Sequence, residues 1–550
     1  MGRVELMRTR LEWSRLISPV RSGLRTDRGQ RFLLAGLCAG LYLFLGVTAA
    51  VADVKLPALI GDNMVLQQGR QVAIWGTADA GEQVTATLGE QKQTATADSS
   101  GQWKVMLGPL KAGGPWEMTV AGKNTIIIHN VLAGEVWVCS GQSNMEMAVK
   151  NNPPLAWGGV MNADQEAAAG NFPMIHLFTV AHALSSQPQT DVKGQWVVAN
   201  PETVGNFSAA GYFFGRDLHR ALKVPVGLIA SSWGGTPAEG WTSSAALEAD
   251  PELKTLADSW RQKIAEFPQL LETRQRDLAE AEKSAEEAES SGKLAVTLPV
   301  VPPDPRSNPW RTAGLWNGMM APLTSYAIAG AIWYQGESNA RYAYQYRKLF
   351  ATMIQDWRRA WGEPDSSFLF VQLASYGLVN PPSDWGVLRE SQAETLALPK
   401  TGMAVAADIG DSQNIHPKNK QEVGRRLALA AEAVTYGRKV ESSGPAFESA
   451  HAENGTLRVQ FGHLGGGLVA HGAKLVGFEV AGEDQKFVAA DARIEGKFVV
   501  LSSPHVSKPV AARYAWAADP KCSLYNKIGL PAPPFRTDDW KVATEGETAK

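Results

Sequence analysis

The chain has 550 residues, 44% hydrophobic and 20% charged, with a formal net charge of -2 and only three cysteines. That length exceeds what one hydrophobic core usually holds, so several globular parts are expected. The body of the chain has no basic run, its nine histidines show no paired metal-ligand spacing, and three cysteines make no disulfide framework, which excludes nucleic-acid binding and a zinc module.

Residues 1–52 carry eight Arg and no Lys, followed by an apolar run over 32–47 and small residues ending in Ala50-Val51-Ala52. This is a secretory signal pattern with an A-x-A cleavage site, so a mature chain starting at Asp53 in the periplasm or outside the cell is expected. An uncleaved anchor is the competing reading, since the apolar run is only slightly short for a span. Loss of the leader, with eight Arg against Glu5, Glu12 and Asp27, takes the net charge from -2 to -7. No stable membrane association is expected after cleavage.

From 53 to 130, alternating stretches such as Val72-Ala73-Ile74-Trp75-Gly76 and Gln83-Val84-Thr85-Ala86-Thr87 predict a small β-sandwich. Over 131–441, apolar strands (224–230, 329–334, 368–373, 403–407) alternate with helical patterns (209–221, 343–361, 419–436), which predicts an α/β region with a mostly parallel sheet. Residues 244–305 interrupt it as an insertion: a charged helical hairpin broken at Pro268, then a Pro-rich loop, given no chemistry. From 442 to 550 the β texture returns, over 457–461, 487–490 and 498–501. Cys139 reads as a small buried core residue.

The most informative run is Glu135 to Met147, EVWVCSGQSNMEM, an apolar strand turning through Gly141 into a helix that opens at Ser143. Such a turn presents a serine Oγ at the rim of a sheet beside unpaired backbone N–H donors. A helix N-cap is the competing role for Ser143. Three more loops follow predicted strands, where sites in such sheets collect. Ser231-Ser232-Trp233-Gly234-Gly235-Thr236-Pro237 could aim N–H groups at a ligand or be an ordinary turn. In Trp333-Tyr334-Gln335-Gly336-Glu337-Ser338-Asn339, Gln335 and Asn339 are candidate oxyanion donors and Glu337 a catalytic acid or a structural carboxylate. In Asp408-Ile409-Gly410-Asp411-Ser412-Gln413-Asn414-Ile415-His416-Pro417, His416 follows a strand on an acid-containing loop just before a helix and is the leading general base. Together these parts make a Ser-His hydrolase acting on an ester carbonyl.

The ordered motifs GQSNM, SSWGGTP, WYQGESNA and DIGD with IHPKNKQEVGRRLA, together with Gly314-Leu315-Trp316-Asn317-Gly318-Met319 and the tail Phe535-Arg536-Thr537-Asp538-Asp539-Trp540, resemble the sialate O-acetylesterase branch of the SGNH hydrolases over nearly the whole mature chain. The resemblance implies a flavodoxin-like three-layer α/β/α hydrolase domain with N-terminal and C-terminal β domains, no metal or other cofactor, and release of acetate from an O-acetylated sugar or glycan. Acetylated sialic acid is the first substrate expected; a plant polysaccharide such as acetylated xylan shares the scissile bond, and a non-catalytic carbohydrate binder is the third possibility. Carried over by motif, Ser143 is the nucleophile and His416 the base. The oxyanion donors implied are the Ser143 N–H, a Gly234 or Gly235 N–H, and a side chain between Gln335 and Asn339. The pattern departs behind the base, where the usual Asp three residues earlier is Gln413. Asp411 is preferred as the orienting acid over Asp408, with a dyad oriented by a backbone carbonyl as the alternative.

Overall fold

Short apolar runs flanked by turn residues assemble into one central sheet. In the computed structural model, which describes residues 53–151, 158–291, 297–379 and 383–549, its strands are β1 (Thr125–Gly141), β2 (Phe172–Thr179), β3 (Trp196–Ala199), β4 (Val226–Ser232), β5 (Gly330–Tyr334), β6 (Ser367–Gln372) and β7 (Thr401–Val405). The leader and cleavage site expected over 1–52 lie outside the described residues. The strand order is β7-β6-β5-β1-β4-β2-β3, and every neighbouring pair is parallel except the edge pair β2 and β3. β4, β5 and β6 are buried along their whole length, as strands covered on both faces must be.

Alternation along these strands sends successive side chains to opposite faces. Ile332, Leu369 and Val371 join a core with Phe213, Phe214, Val423 and Leu427 from the helices α2 (Ala209–Leu222) and α6 (Lys420–Val434). α2 and α6 pack closely because Gly424 lacks a side chain: a Cβ there would sit 2.5 Å from the Phe213 Cβ. Trp333, Phe368 and Phe370 face the other way, onto Tyr346, Phe350 and Trp357 of α4 (Ala343–Trp361) and Val387 and Leu388 of α5 (Trp385–Glu394). Edge-to-face contacts of Trp357 with Trp333 and Phe368 consolidate that layer. The result is a mixed α/β core with helices on both faces. Many tryptophans are core material, Trp137, Trp241 and Trp333 being fully buried.

β1 is long enough to serve two regions. Its first half pairs antiparallel with the strand Gly113–Ala121, which continues to Gln83–Leu88, and its second half lies in the parallel sheet. The boundary expected at 130 therefore falls inside one strand. The last region has two four-stranded antiparallel sheets and one two-stranded antiparallel sheet around Val459, Phe461, Tyr514 and Phe535.

The expected helical hairpin does not form. A short helix, Ser244–Glu248, leads into one 40-residue helix, α3 (Pro251–Ser290), with Pro268 inside it. Proline removes only one i to i-4 hydrogen bond, and neither chain reversal nor a turn sequence accompanies it here. Pro251 at the first position and the Asp250 carboxylate, which accepts from the Glu252 and Leu253 N–H groups, start the helix. Leu253, Leu256, Ala257 and Phe267 bury its first half against the core.

Candidate active site

The loops that leave β1, β4, β5 and β7 emerge at the same edge of the parallel sheet. β1 ends at Gly141, whose φ of 140° and approach to β5 exclude any side chain: a Cβ would lie 2.2 Å from the Tyr334 carbonyl oxygen. Gln142 N–H donates to that carbonyl (3.1 Å), and Trp233 N–H donates to the Gly141 carbonyl (3.1 Å), so three strand ends are tied together. The next residues form a single helical turn, α1 (Ser143–Glu146), whose cap is Gln142. Ser143 is therefore the first residue inside the turn and not its cap, while Ser140 is fully buried in the strand. The Ser143 hydroxyl has no hydrogen-bond partner among the described residues.

Ser143 and His416 line one pocket of about 510 Å³, with Glu337 and Ser338 from the β5 loop, Trp233, Gly234 and Gly235 from the β4 loop, and Gln142, Glu146, His182 and Ile415. This is the volume expected of a small-ligand site. A larger cleft of about 750 Å³, lined by Trp75, Trp103 and Asp191 among others, contains no serine and histidine pair.

Three of the expected oxyanion donors are already committed. The Gly234 N–H donates to Glu146 Oε2 (2.6 Å). Gln335 is fully buried; its Nε2 donates to Asn339 Oδ1 (2.6 Å) and its Oε1 accepts from the Tyr346 hydroxyl (2.9 Å). Asn339 Nδ2 donates to Glu239 Oε2 (2.9 Å), and its Oδ1 also accepts from the Ala238 N–H (3.0 Å). Both amides thus brace the β5 loop from behind and neither lines the pocket. Gly235 does line it, exposed at φ 72°, and its N–H has no acceptor among the described residues. Gln142 adds a donor that the sequence did not suggest. Its Oε1 accepts from the Gly336 and Ser338 N–H groups (3.4 and 3.3 Å), which leaves Nε2 without an acceptor among the described residues.

His416 sits on the β7 loop, and its own N–H donates to Asn414 Oδ1 (2.9 Å). Burial, helped by the positive charge of Lys420, pulls its pKa down to about 4, so the imidazole is neutral over the ordinary pH range. Asp411 is exposed and outside the pocket lining; its Oδ1 accepts from the Gln413 and Asn414 N–H groups, a turn-closing role. The Asp408 carboxylate is covered in a bidentate pair with Arg426 (2.6 and 2.8 Å) and accepts from the Tyr525 hydroxyl (3.0 Å). Both carboxylates that the sequence offered behind the base are thus engaged in holding the loop and the C-terminal region in place.

Two side-chain groups frame Ser143. Glu337 Oε1 accepts from Asn144 Nδ2 (2.6 Å), which also donates to the Ile415 carbonyl (3.0 Å); Asn144 Oδ1 accepts from Lys420 Nζ (2.7 Å). Burial raises the pKa of Glu337 and lowers that of Lys420 to about 7, while each charge partly restrains the shift of the other. On the outer wall, Glu146 Oε1 lies 2.8 Å from His182 Nε2, which also faces the Ser232 carbonyl (3.1 Å). Two acceptors at Nε2 place the proton there. The His182 ring stacks on Trp233 with centroids 4.0 Å apart and planes 6° from parallel, which makes a flat wall of the kind that suits a sugar ring. Gln142, Asn144, Glu146, His182 and Lys420 escaped sequence reasoning. Asn144 and Glu146 lie within one turn of the serine, and Lys420 stands four residues after His416, the only signals that could have marked them.

Comparison with known proteins agrees with an esterase site. A family model described as carbohydrate esterase, sialic acid-specific acetylesterase, matches residues 310–433. The chain is 32% identical to sialate O-acetylesterase of Rattus norvegicus, over 88% of this chain and 94% of that protein, and 31% identical to that of Homo sapiens, over 92% and 96%. A crystal structure of a carbohydrate acetylesterase from Xanthomonas citri superposes with a TM-score of 0.73 at 36% identity, covering 88% of this chain and all of that one. With likeness running through nearly the full length of these relatives and a serine-bearing pocket at the strand ends, the chain belongs to the sialate O-acetylesterase family and is a carbohydrate O-acetylesterase.

Proposed function

We propose that the enzyme cleaves sugar acetyl esters by a Ser-His mechanism with a covalent acetyl-enzyme, in an SGNH-type hydrolase domain. The observation that carries this is the shared pocket of Ser143 and a neutral His416. Neutral His416 accepts the Ser143 proton as Oγ attacks the acetyl carbonyl carbon, and the carbonyl oxygen becomes an oxyanion. The Ser143 and Gly235 N–H groups, with Gln142 Nε2, are the proposed donors to that oxyanion. Collapse breaks the bond to the sugar oxygen, which leaves with the proton held by His416. Water, deprotonated by His416, then attacks the acetyl-enzyme and releases acetate and free Ser143. Catalytic hydrogen bonds often tighten only when substrate binds, so the lack of a Ser143 hydroxyl partner among the described residues is compatible with this role.

Two variants test the assignments around this pair. Gln142→Ala is expected to lower kcat by about 10²-fold with little change in KM, the usual loss for one oxyanion donor. Asp411→Ala is expected to leave kcat/KM within about threefold, because its carboxylate serves its own turn; steady-state kinetics on 4-nitrophenyl acetate measures both.

The relatives' names point to acetylated sialic acid as substrate. The second reading, a neutral acetylated polysaccharide such as acetyl-xylan, is favoured by the pocket lining, which contains Glu146 and Glu337 and, among the described residues, no Arg or Lys to meet a sialate carboxylate. Acetate release from acetylated sialic acid and from acetyl-xylan, each against a Ser143→Ala control, separates the readings: higher kcat/KM on the sialate supports the first, on the xylan the second, and turnover of neither removes both. Export by the N-terminal leader to the periplasm or beyond completes the proposal; N-terminal sequencing of the exported protein should begin at Asp53.

A further inference from the structure

The nucleophile and the base come from loops 273 positions apart in the chain, so something must fix their mutual position. Asn144, beside the nucleophile, is fully buried, and its Nδ2 donates to the carbonyl of Ile415, the residue before His416 (3.0 Å). Its Oδ1 accepts from Lys420 Nζ (2.7 Å), and the same Nζ donates to the carbonyl of Pro417, the residue after His416 (2.8 Å). The backbone of the base is thus gripped on both sides by two side chains that are bonded to each other. Lys420 is fully buried, lies 5.2 Å from the centre of the Tyr334 ring, and is balanced through Asn144 by Glu337. No part of this arrangement belongs to the chemical steps proposed above.

We propose that Asn144 and Lys420 are positioning residues, a clamp that holds the backbone on both sides of His416 and so sets the base against Ser143. The inference rests on the Ser143 and His416 reading. A buried ammonium held by two oxygen acceptors and the face of the Tyr334 ring costs desolvation that an apolar side chain would avoid, and the function of the base accounts for its presence here. Among the described residues, the charged or titratable groups around His416 are Glu146, His182 and Glu337, which line the pocket with it, and Lys420 on α6; Tyr334 lies under Lys420, and Asp411 is exposed on the same loop, outside the pocket. Of these, Lys420 is the one whose charge pushes the imidazole toward its neutral form, in addition to burial.

The test uses the full-length enzyme and 4-nitrophenyl acetate. Asn144→Asp keeps size and the acceptor for Lys420 but turns the donor that holds Ile415 into an acceptor. Its kcat is expected to fall about 10²-fold with KM changed less than threefold, the signature of misplaced reacting groups. Lys420→Met keeps length without charge, and the acid limb of its kcat/KM profile is expected to move upward by roughly half a unit to one unit. A merely structural role would not move that limb. A kcat within threefold of wild type in Asn144→Asp, or an unmoved acid limb in folded Lys420→Met, overturns the proposal. If Lys420→Met fails to melt cooperatively, the isosteric Asn144→Asp decides alone. Ser143→Ala and His416→Ala in the same series keep the two questions apart: activity in those variants removes the Ser-His reading itself, whereas their inactivity with an unaffected Asn144→Asp removes only the clamp.

Discussion

Ser143→Ala is expected to lower kcat/KM for an acetyl ester by about 10⁴- to 10⁶-fold, equivalent to roughly 5–8 kcal/mol of transition-state stabilisation. In the proposed mechanism the substitution removes the atom that bonds to the acetyl carbon, while the proposed oxyanion donors and the pocket walls stay and support a residual rate. The fold should not notice. The Ser143 hydroxyl holds no structural hydrogen bond among the described residues, and Gln142, not Ser143, caps the turn. Thermal melting of the variant should therefore coincide with that of the wild type. A melting point lowered together with activity would indicate a structural serine instead.

His416→Ala is expected to cost a similar factor, and the double variant no more than either single one, because two groups that act as a unit do not add. The wild-type pH profile has a second, sharper consequence. As the proposed base, His416 must be neutral to accept a proton, and burial together with Lys420 lowers its pKa to about 4. Activity should therefore persist as pH falls through the ordinary imidazole range near 6.5 and be lost only below about pH 4–5. Since kcat/KM reports the free enzyme, that profile on a substrate with no titrating group is the measurement to make. An acid limb at 6.5 would mean an imidazole in open water.

What the sequence revealed and what it concealed divide along physical lines. Strands covered on both faces need unbroken apolar runs, so β4 to β7 were legible, and α4 lies where its pattern put it, over 343–361. β2 was not, since Pro173 and the buried His176, bonded to the Asn63 carbonyl, disguise its apolar run. Pro268 looked like a break because its cost is local and visible, whereas the continuity of the helix depends on neighbours that are not. At the site, Ser143 and His416, which line one pocket, stand at turns that the sequence marks with few alternatives. Gln335 and Asn339 have the right amides, and only burial shows that Tyr346, Glu239 and Ala238 already use them. The Asn144 and Lys420 contact joins residues 276 apart, beyond the reach of any local pattern.

Ser143 is proposed to carry the acetyl group between two half-reactions. Acid-quenching the wild-type enzyme during turnover of 4-nitrophenyl acetate, whose fast acylation lets the intermediate accumulate, and mapping its peptides by mass spectrometry tests this most directly. The expected result is one acetyl group on the peptide containing Ser143, absent from Ser143→Ala. Acetylation at another side chain, with Ser143 unmodified and Ser143→Ala still turning over, would contradict it.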